Sequence, residues 1–216
     1  MDTKPVKNAD RTRRLLLTTA EQLFARLGFD AVSVDTIATR AGVNKRMIYV
    51  YFGSKEGLYR QVLAANFDKA MAKSGPWLKR QDTDVYQRAV AILRSYFYFL
   101  AENPRFVRLL AWESLRADRR TAAPLMDLAF SGLESIKDVL DQGVKQRVFR
   151  PGLDVRLFAS TVNSLFLHFF QYKPLLGVMW GRDLTDSAEL ETVFNHNVEI
   201  LFHGCMESQP CVEPSR

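Results

Sequence analysis

Five side chains between residues 45 and 55 carry the most distinctive chemistry in this sequence: Lys45, Arg46, Tyr49, Tyr51 and Lys55. Ammonium, guanidinium and phenol groups donate to phosphate oxygens, and a guanidinium can form two parallel bonds to guanine O6 and N7. Helical spacing from Lys45 to about Phe52 leaves Lys45, Arg46, Tyr49 and Lys55 to point outward. Ile48 and Phe52, four apart, point inward together, with Met47 and Tyr51 near the edge. A cationic, aromatic face of this kind suits a polyanion. Catalytic patterns are absent: the three histidines, His168, His196 and His203, belong to no recognisable Cys–His or Ser–His–Asp arrangement. His196 and His203 are seven apart without an acidic or cysteine partner at ligand spacing, so no metal is expected. Cys205 and Cys211 read as reduced thiols, being too few for a disulfide framework and lacking zinc spacing. The chain is expected to be no enzyme and to need no cofactor.

The elements that must position these groups lie between Val32 and Leu58. Ser33 can cap one helix by accepting an orphan backbone N–H one turn in. Ile37, Ala38 and Ala41 share a face of that helix. Gly42 stands where a helix ends and a left-handed residue is needed. Asn44 can cap the next helix and Ser54 a third, with Glu56 near its positive end. Two short helices around a glycine turn fit a helix-turn-helix reader, whose second helix enters the major groove. Taken alone, the pattern also fits a plain helical hairpin. Charge supports the first reading. Residues 1–60 hold eleven Lys and Arg against six Asp and Glu, a balance of +5, out of +6 for the whole chain. A basic excess concentrated at one end is the footprint of a nucleic-acid partner.

The stretch from about Arg13 to Leu63 resembles the N-terminal domain of TetR-family transcriptional regulators. The resemblance rests on AEQLFARLGFDAVSVDTIATRAGV, then IYVYF, then SKEGLY. Beyond this stretch only chain length and helical character match. The family implies an all-α protein: an N-terminal three-helix helix-turn-helix domain, placed at 1–60, and a larger helical effector-binding and dimerisation domain at 61–216. Carried over by position, it implies DNA contacts from Ser33, Thr36, Asn44, Lys45, Arg46, Tyr49, Tyr51 and Lys55. Tyr49 matches the family's recurrent phosphate-contacting tyrosine. Lys55 joins a charge to the free N–H groups of a helix start. Arg46 departs from the small residue common at its position, which can alter the footprint or preferred base. Arg11, Arg13 and Arg14 would meet phosphates, or simply form a basic helix end.

Helices are expected over Asp10–Leu27, Lys55–Lys73, Asp82–Glu102, a short tract around Phe106–Trp112, about Leu125–Val148, and two further helices. One follows an Asp154 cap and closes at Pro174 and Gly177. The other runs from about Asp186 to Met206. Met1–Ala9 reads as frayed, and Ser74-Gly75-Pro76 as a break. Excess aromatics in the C-terminal region can fill a core or enclose a cavity. The resemblance implies a small-molecule effector there, with candidates Phe97, Leu100, Phe106, Leu110, Glu113, Met126, Phe130, Phe166 and Phe170. Asn163, His168 and Gln171 are further polar candidates on apolar faces. Glu113, if buried, would favour a cationic effector, because its carboxylate is otherwise costly to desolvate.

The last two long helices would pair with those of a second copy. The expected protein is a cytoplasmic repressor that binds a palindromic double-stranded DNA operator as a homodimer and leaves it when an effector binds. Its rivals are an activator, or a DNA-organising protein of the same fold without an effector. No membrane span or secretion signal is expected.

Overall fold

The computed structural model describes residues 4–80, 84–116 and 136–203. The architecture is all-α: α1 (Lys4–Leu27), α2 (Val34–Ala41), α3 (Arg46–Phe52), α4 (Lys55–Lys79), α5 (Val85–Glu102), α6 (Pro104–Arg116), α7 (136–145), α8 (Val155–Trp180) and α9 (Ser187–His203). No helix among the described residues is long and apolar enough to cross a membrane.

The chain divides into two compact units, Met1–Lys69 with Asn103–Ala129, and Ala70–Glu102 with Phe130–Arg216. In the first, α1 supplies Leu16, Ala20, Leu23 and Phe24 to a shared core, as the helical stripe predicts, although Leu27 is exposed. That core receives Ile37 from α2, Ile48 and Phe52 from α3, Leu58, Tyr59 and Val62 from α4, and Leu109 from α6. Full burial of each large apolar side chain contributes roughly 1.5–3 kcal/mol. An anchored inner face is what lets a seven-residue helix such as α3 persist, since isolated helices that short are unstable in water. In the second unit Phe97 of α5 is the hub, with the rings of Phe166, Phe169, Phe170 and Phe194 at 4.9–6.1 Å.

Two proline positions differ from expectation. Ser74-Gly75-Pro76 does not break α4, which runs on to Lys79, and Pro174 lies inside α8, which ends only at Gly181. A proline removes one backbone hydrogen bond and crowds one carbonyl. Turns on both sides can carry the helix through when their side chains pack, and pattern reading treats the residue as a stop. At the other end of the chain, α1 starts at Lys4 rather than Asp10. Pro5 suits a first helical turn, where its missing N–H would have no partner anyway. The helix expected over Leu125–Val148 is described only from residue 136, and its earlier part lies outside the described residues.

Candidate nucleic-acid interface

The turn between α2 and α3 is built from local hydrogen bonds that the sequence spells out. The Thr36 backbone N–H donates to Ser33 Oγ at 3.0 Å, capping α2. Gly42 closes it at φ 64°, where its own N–H and that of Val43 return to carbonyls of α2. The Arg46 N–H donates to Asn44 Oδ1 at 2.8 Å, a local turn leading into α3, whose cap position is Lys45 rather than Asn44. Ser54 Oγ accepts from the Gly57 N–H at 3.0 Å at the start of α4. Arg13 of α1 donates to the Gln61 side chain of α4, and its guanidinium lies 5.7 Å from the Phe52 ring centroid. α1 thereby contacts both α4 and the last residue of α3.

This scaffold leaves Ser33, Thr36, Asn44, Lys45, Arg46 and Tyr49 exposed. Tyr49 retains 52% of its surface and Val50, an unexpected apolar member of the same face, 62%. Lys45 Nζ lies 3.0 Å from Asp35 Oδ1, and that hydrogen bond raises the ammonium's pKa. Asp35 of α2 thus engages a candidate DNA-contacting cation, although spacing along α2 gave no sign of it. Ser33 and Thr36 have their hydroxyl oxygens 2.8 Å apart, so each is oriented before any ligand arrives.

Tyr51 and Lys55 are placed differently. Tyr51 is half-buried against the core, with its ring 6.1 Å from that of Phe52. Lys55 Nζ sits 4.2 Å above the Phe29 ring, and burial lowers its pKa. The Arg116 guanidinium of α6 lies 4.1 Å from the same ring and pairs with Asp30 at 3.4 Å. Phe29 is therefore a platform for two cations near the start of α4. Sequence reading missed it, because Phe29 follows the end of the α1 stripe.

The described effector candidates are divided between the two compact units. Phe106, Leu110 and Glu113 belong to the first compact unit, and Phe97, Leu100, Phe166 and Phe170 to the second. Met126 and Phe130 lie outside the described residues. Phe97, Leu100 and Phe166 are packed in the aromatic core, at most 1% exposed. Glu113 is buried, and the Tyr59 hydroxyl donates to its Oε1 at 2.8 Å. Burial and that hydrogen bond push the Tyr59 phenol far above its ordinary pKa. Of the other polar candidates, Asn163 accepts from the Tyr96 hydroxyl at 2.6 Å and His168 stacks on Tyr172 at 4.3 Å. Among the described residues no cluster of His, Cys, Asp and Glu could hold a metal ion.

Residues 16–62 match the family model described as bacterial regulatory proteins of the tetR family, and residues 88–201 match the tetracyclin repressor-like C-terminal domain. The chain is 29% identical to the transcriptional repressor NicS of Pseudomonas putida, over 83% of this chain and 85% of that protein. It is 30% identical to the transcriptional activator FasR of Mycolicibacterium smegmatis, over 72% and 71%. Among solved structures, FadR from Bacillus subtilis in complex with stearoyl-CoA superposes with a TM-score of 0.73 at 18% identity, covering 88% of this chain and 98% of that one.

Proposed function

This chain belongs to the TetR family of DNA-binding, non-enzymatic transcriptional regulators, and from that premise we propose that it is a ligand-responsive repressor acting as a homodimer on a palindromic operator. The observation that carries the DNA-reading part is the face of α3: Ile48 and Phe52 are locked in the core while Lys45, Arg46 and Tyr49 stand in solvent. A recognition helix needs that division, because groove entry demands a rigid inner face and free outer donors. In this reading residues 1–60 form the DNA-binding domain and 61–216 the regulatory domain. Lys45 and Arg46 read base edges. Tyr49, Lys55, Ser33, Thr36, Asn44 and Tyr51 contact the sugar–phosphate backbone or position those that do.

Dimerisation is supported by apolar surface that a lone chain leaves in water. On α8, Leu175, Val178, Met179 and Trp180 are at least half exposed, and on α9 so is Ile200. A second copy presenting the same patch would cover them by two-fold symmetry, and two-fold dimers match two-fold operators. Regulation is a coupling free energy: the effector must bind the DNA-incompetent conformer more tightly. The working compartment is the cytoplasm, where DNA and metabolites meet. An activator role is the second reading, favoured by the 30% identity to an activator.

Selection of bound fragments from random duplexes tests the proposal. The expected product is a palindrome with fixed half-site spacing; fragments without symmetry would refute dimeric operator reading. Placing the recovered site over, or upstream of, a reporter promoter separates repression from activation.

A further inference from the structure

Within the second unit, α4 and α5 border a cleft of about 270 Å³ lined by Lys73, Trp77, Ala91, Arg94, Ser95 and Tyr98; the Arg94 guanidinium also lies 4.2 Å from the Phe194 ring centroid. We propose that this cleft binds a small organic carboxylate with a flat apolar body. The inference deepens the ligand-responsive reading above and rests on it.

Among the described residues, the ionised side chains that line the cleft are two cations, Lys73 and Arg94. Their partners, Glu102 for Lys73 and Glu191 for Arg94, are not among the lining residues. Each cation has donors beyond the one engaged by its glutamate: an ammonium carries three and a guanidinium five. An incoming carboxylate can therefore be bound without first breaking either pair. Glu191 also accepts from the Tyr98 hydroxyl at 2.7 Å, which fixes the phenol as part of the wall.

A further cation lies close to the cleft. Arg88, one turn before Ala91 on α5, is only 3% exposed. Its Nη1 donates to the Arg80 carbonyl at 2.8 Å, its Nε has no hydrogen-bond partner, and no carboxylate of the described residues pairs with it. A buried guanidinium held by one carbonyl raises the local potential and favours an anion nearby. Trp77, Tyr98 and Ala91 supply apolar surface, so a flat hydrocarbon body is the complementary shape for the rest of the ligand. The resulting site takes an anionic head at Lys73 and Arg94 and an apolar body against Trp77.

Calorimetric titration of the full chain with 2-naphthoate and its neutral amide, 2-naphthamide, tests this. Naphthoate should bind about tenfold more tightly than the amide, the ratio expected of one charge-assisted contact. Lys73→Gln should remove that preference while leaving amide binding unchanged, and Trp77→Leu should weaken both. Lys73 lies at the exposed rim, so its variant tests the charge even where an Arg94 variant fails to fold. Equal affinity for the two compounds, an unchanged preference in Lys73→Gln, or no heat with either would overturn the site. Operator binding is measured in parallel on the selected fragment. Lys73-dependent naphthoate binding that leaves DNA binding unchanged sustains the cleft and sinks its role as effector site. Release by a different compound, with no naphthoate binding, sinks the cleft and sustains ligand-responsive regulation.

Discussion

Lys45 is already engaged in the DNA-free protein, through its ion pair with Asp35. Both groups are well exposed, so the pair is weak and exchangeable, and a phosphate or guanine can replace the carboxylate. Asp35→Asn should therefore raise affinity for non-specific duplex, which fluorescence anisotropy at fixed salt will report. Lys45→Ala combined with Tyr49→Ala should abolish specific binding with an unchanged melting temperature, because neither side chain supports the core. Lys55→Gln should weaken all duplexes alike and lessen the slope of log affinity against log salt by about one, as loss of a single phosphate contact does. Glu191 shows titration at the same scale. The Arg94 hydrogen bond holds its carboxyl at about 2, below the ordinary 4.5. A depressed carboxyl pKa stabilises the folded state above the ordinary value, and that stabilisation disappears as pH falls through the folded one. Glu191→Gln should thus lower stability at neutral pH and flatten its decline between about pH 4.5 and 2 in urea titrations.

At the scale of elements, the first unit depends on how α4 and α6 hold α1 to α3. Tyr59 of α4 is fully buried, with its ring 5.0 Å from both Phe24 and Phe29. Its hydroxyl donates to buried Glu113 of α6, whose other oxygen has no hydrogen-bond partner. Tyr59→Phe keeps the ring packing but takes away that donor, so it should cost about 1–3 kcal/mol in chemical denaturation. Gly57 has a different role. A Cβ there would meet the Phe52 carbonyl oxygen at 1.9 Å, far inside any real contact. The close approach seats the start of α4 directly on the end of α3. Gly57→Ala should destabilise the protein and weaken operator binding together, because it must push α3 out of place. A variant with normal stability and normal DNA affinity would contradict this seating.

For the whole molecule, the exposed apolar end of α8 sets the expectation. Val178 and Met179 keep 81% and 69% of their surface in the single chain. Val178→Glu with Met179→Glu should place like charges across a two-fold axis and yield monomers in sedimentation equilibrium. The isolated secondary structure should remain, because neither residue is core. Operator affinity should then fall steeply, since one helix-turn-helix unit reads only half a site. A double variant that stays dimeric would move the interface elsewhere.

Local chemistry was legible in the sequence wherever it depends on neighbours in the chain. The caps at Ser33 and Ser54, the Asn44 turn, the left-handed Gly42, and the division around α3 into Ile48 and Phe52 inside and Lys45, Arg46 and Tyr49 outside all follow from residue type and a 3.6-residue period. Stops were misjudged at Pro76 and Pro174 because packing on either side outweighs one lost hydrogen bond, and packing is not local. Aromatic packing partners are equally non-local. A list of aromatics cannot say which rings face each other, and only the fold sends Phe97 and Phe166 into the core and Tyr98 to the wall of a cleft. Asp35 beside Lys45, Phe29 beneath Lys55 and Tyr59 against Glu113 likewise join residues that the chain alone keeps apart. Periodicity records which way a side chain points from its own helix; what it meets there is decided by the packing of the others.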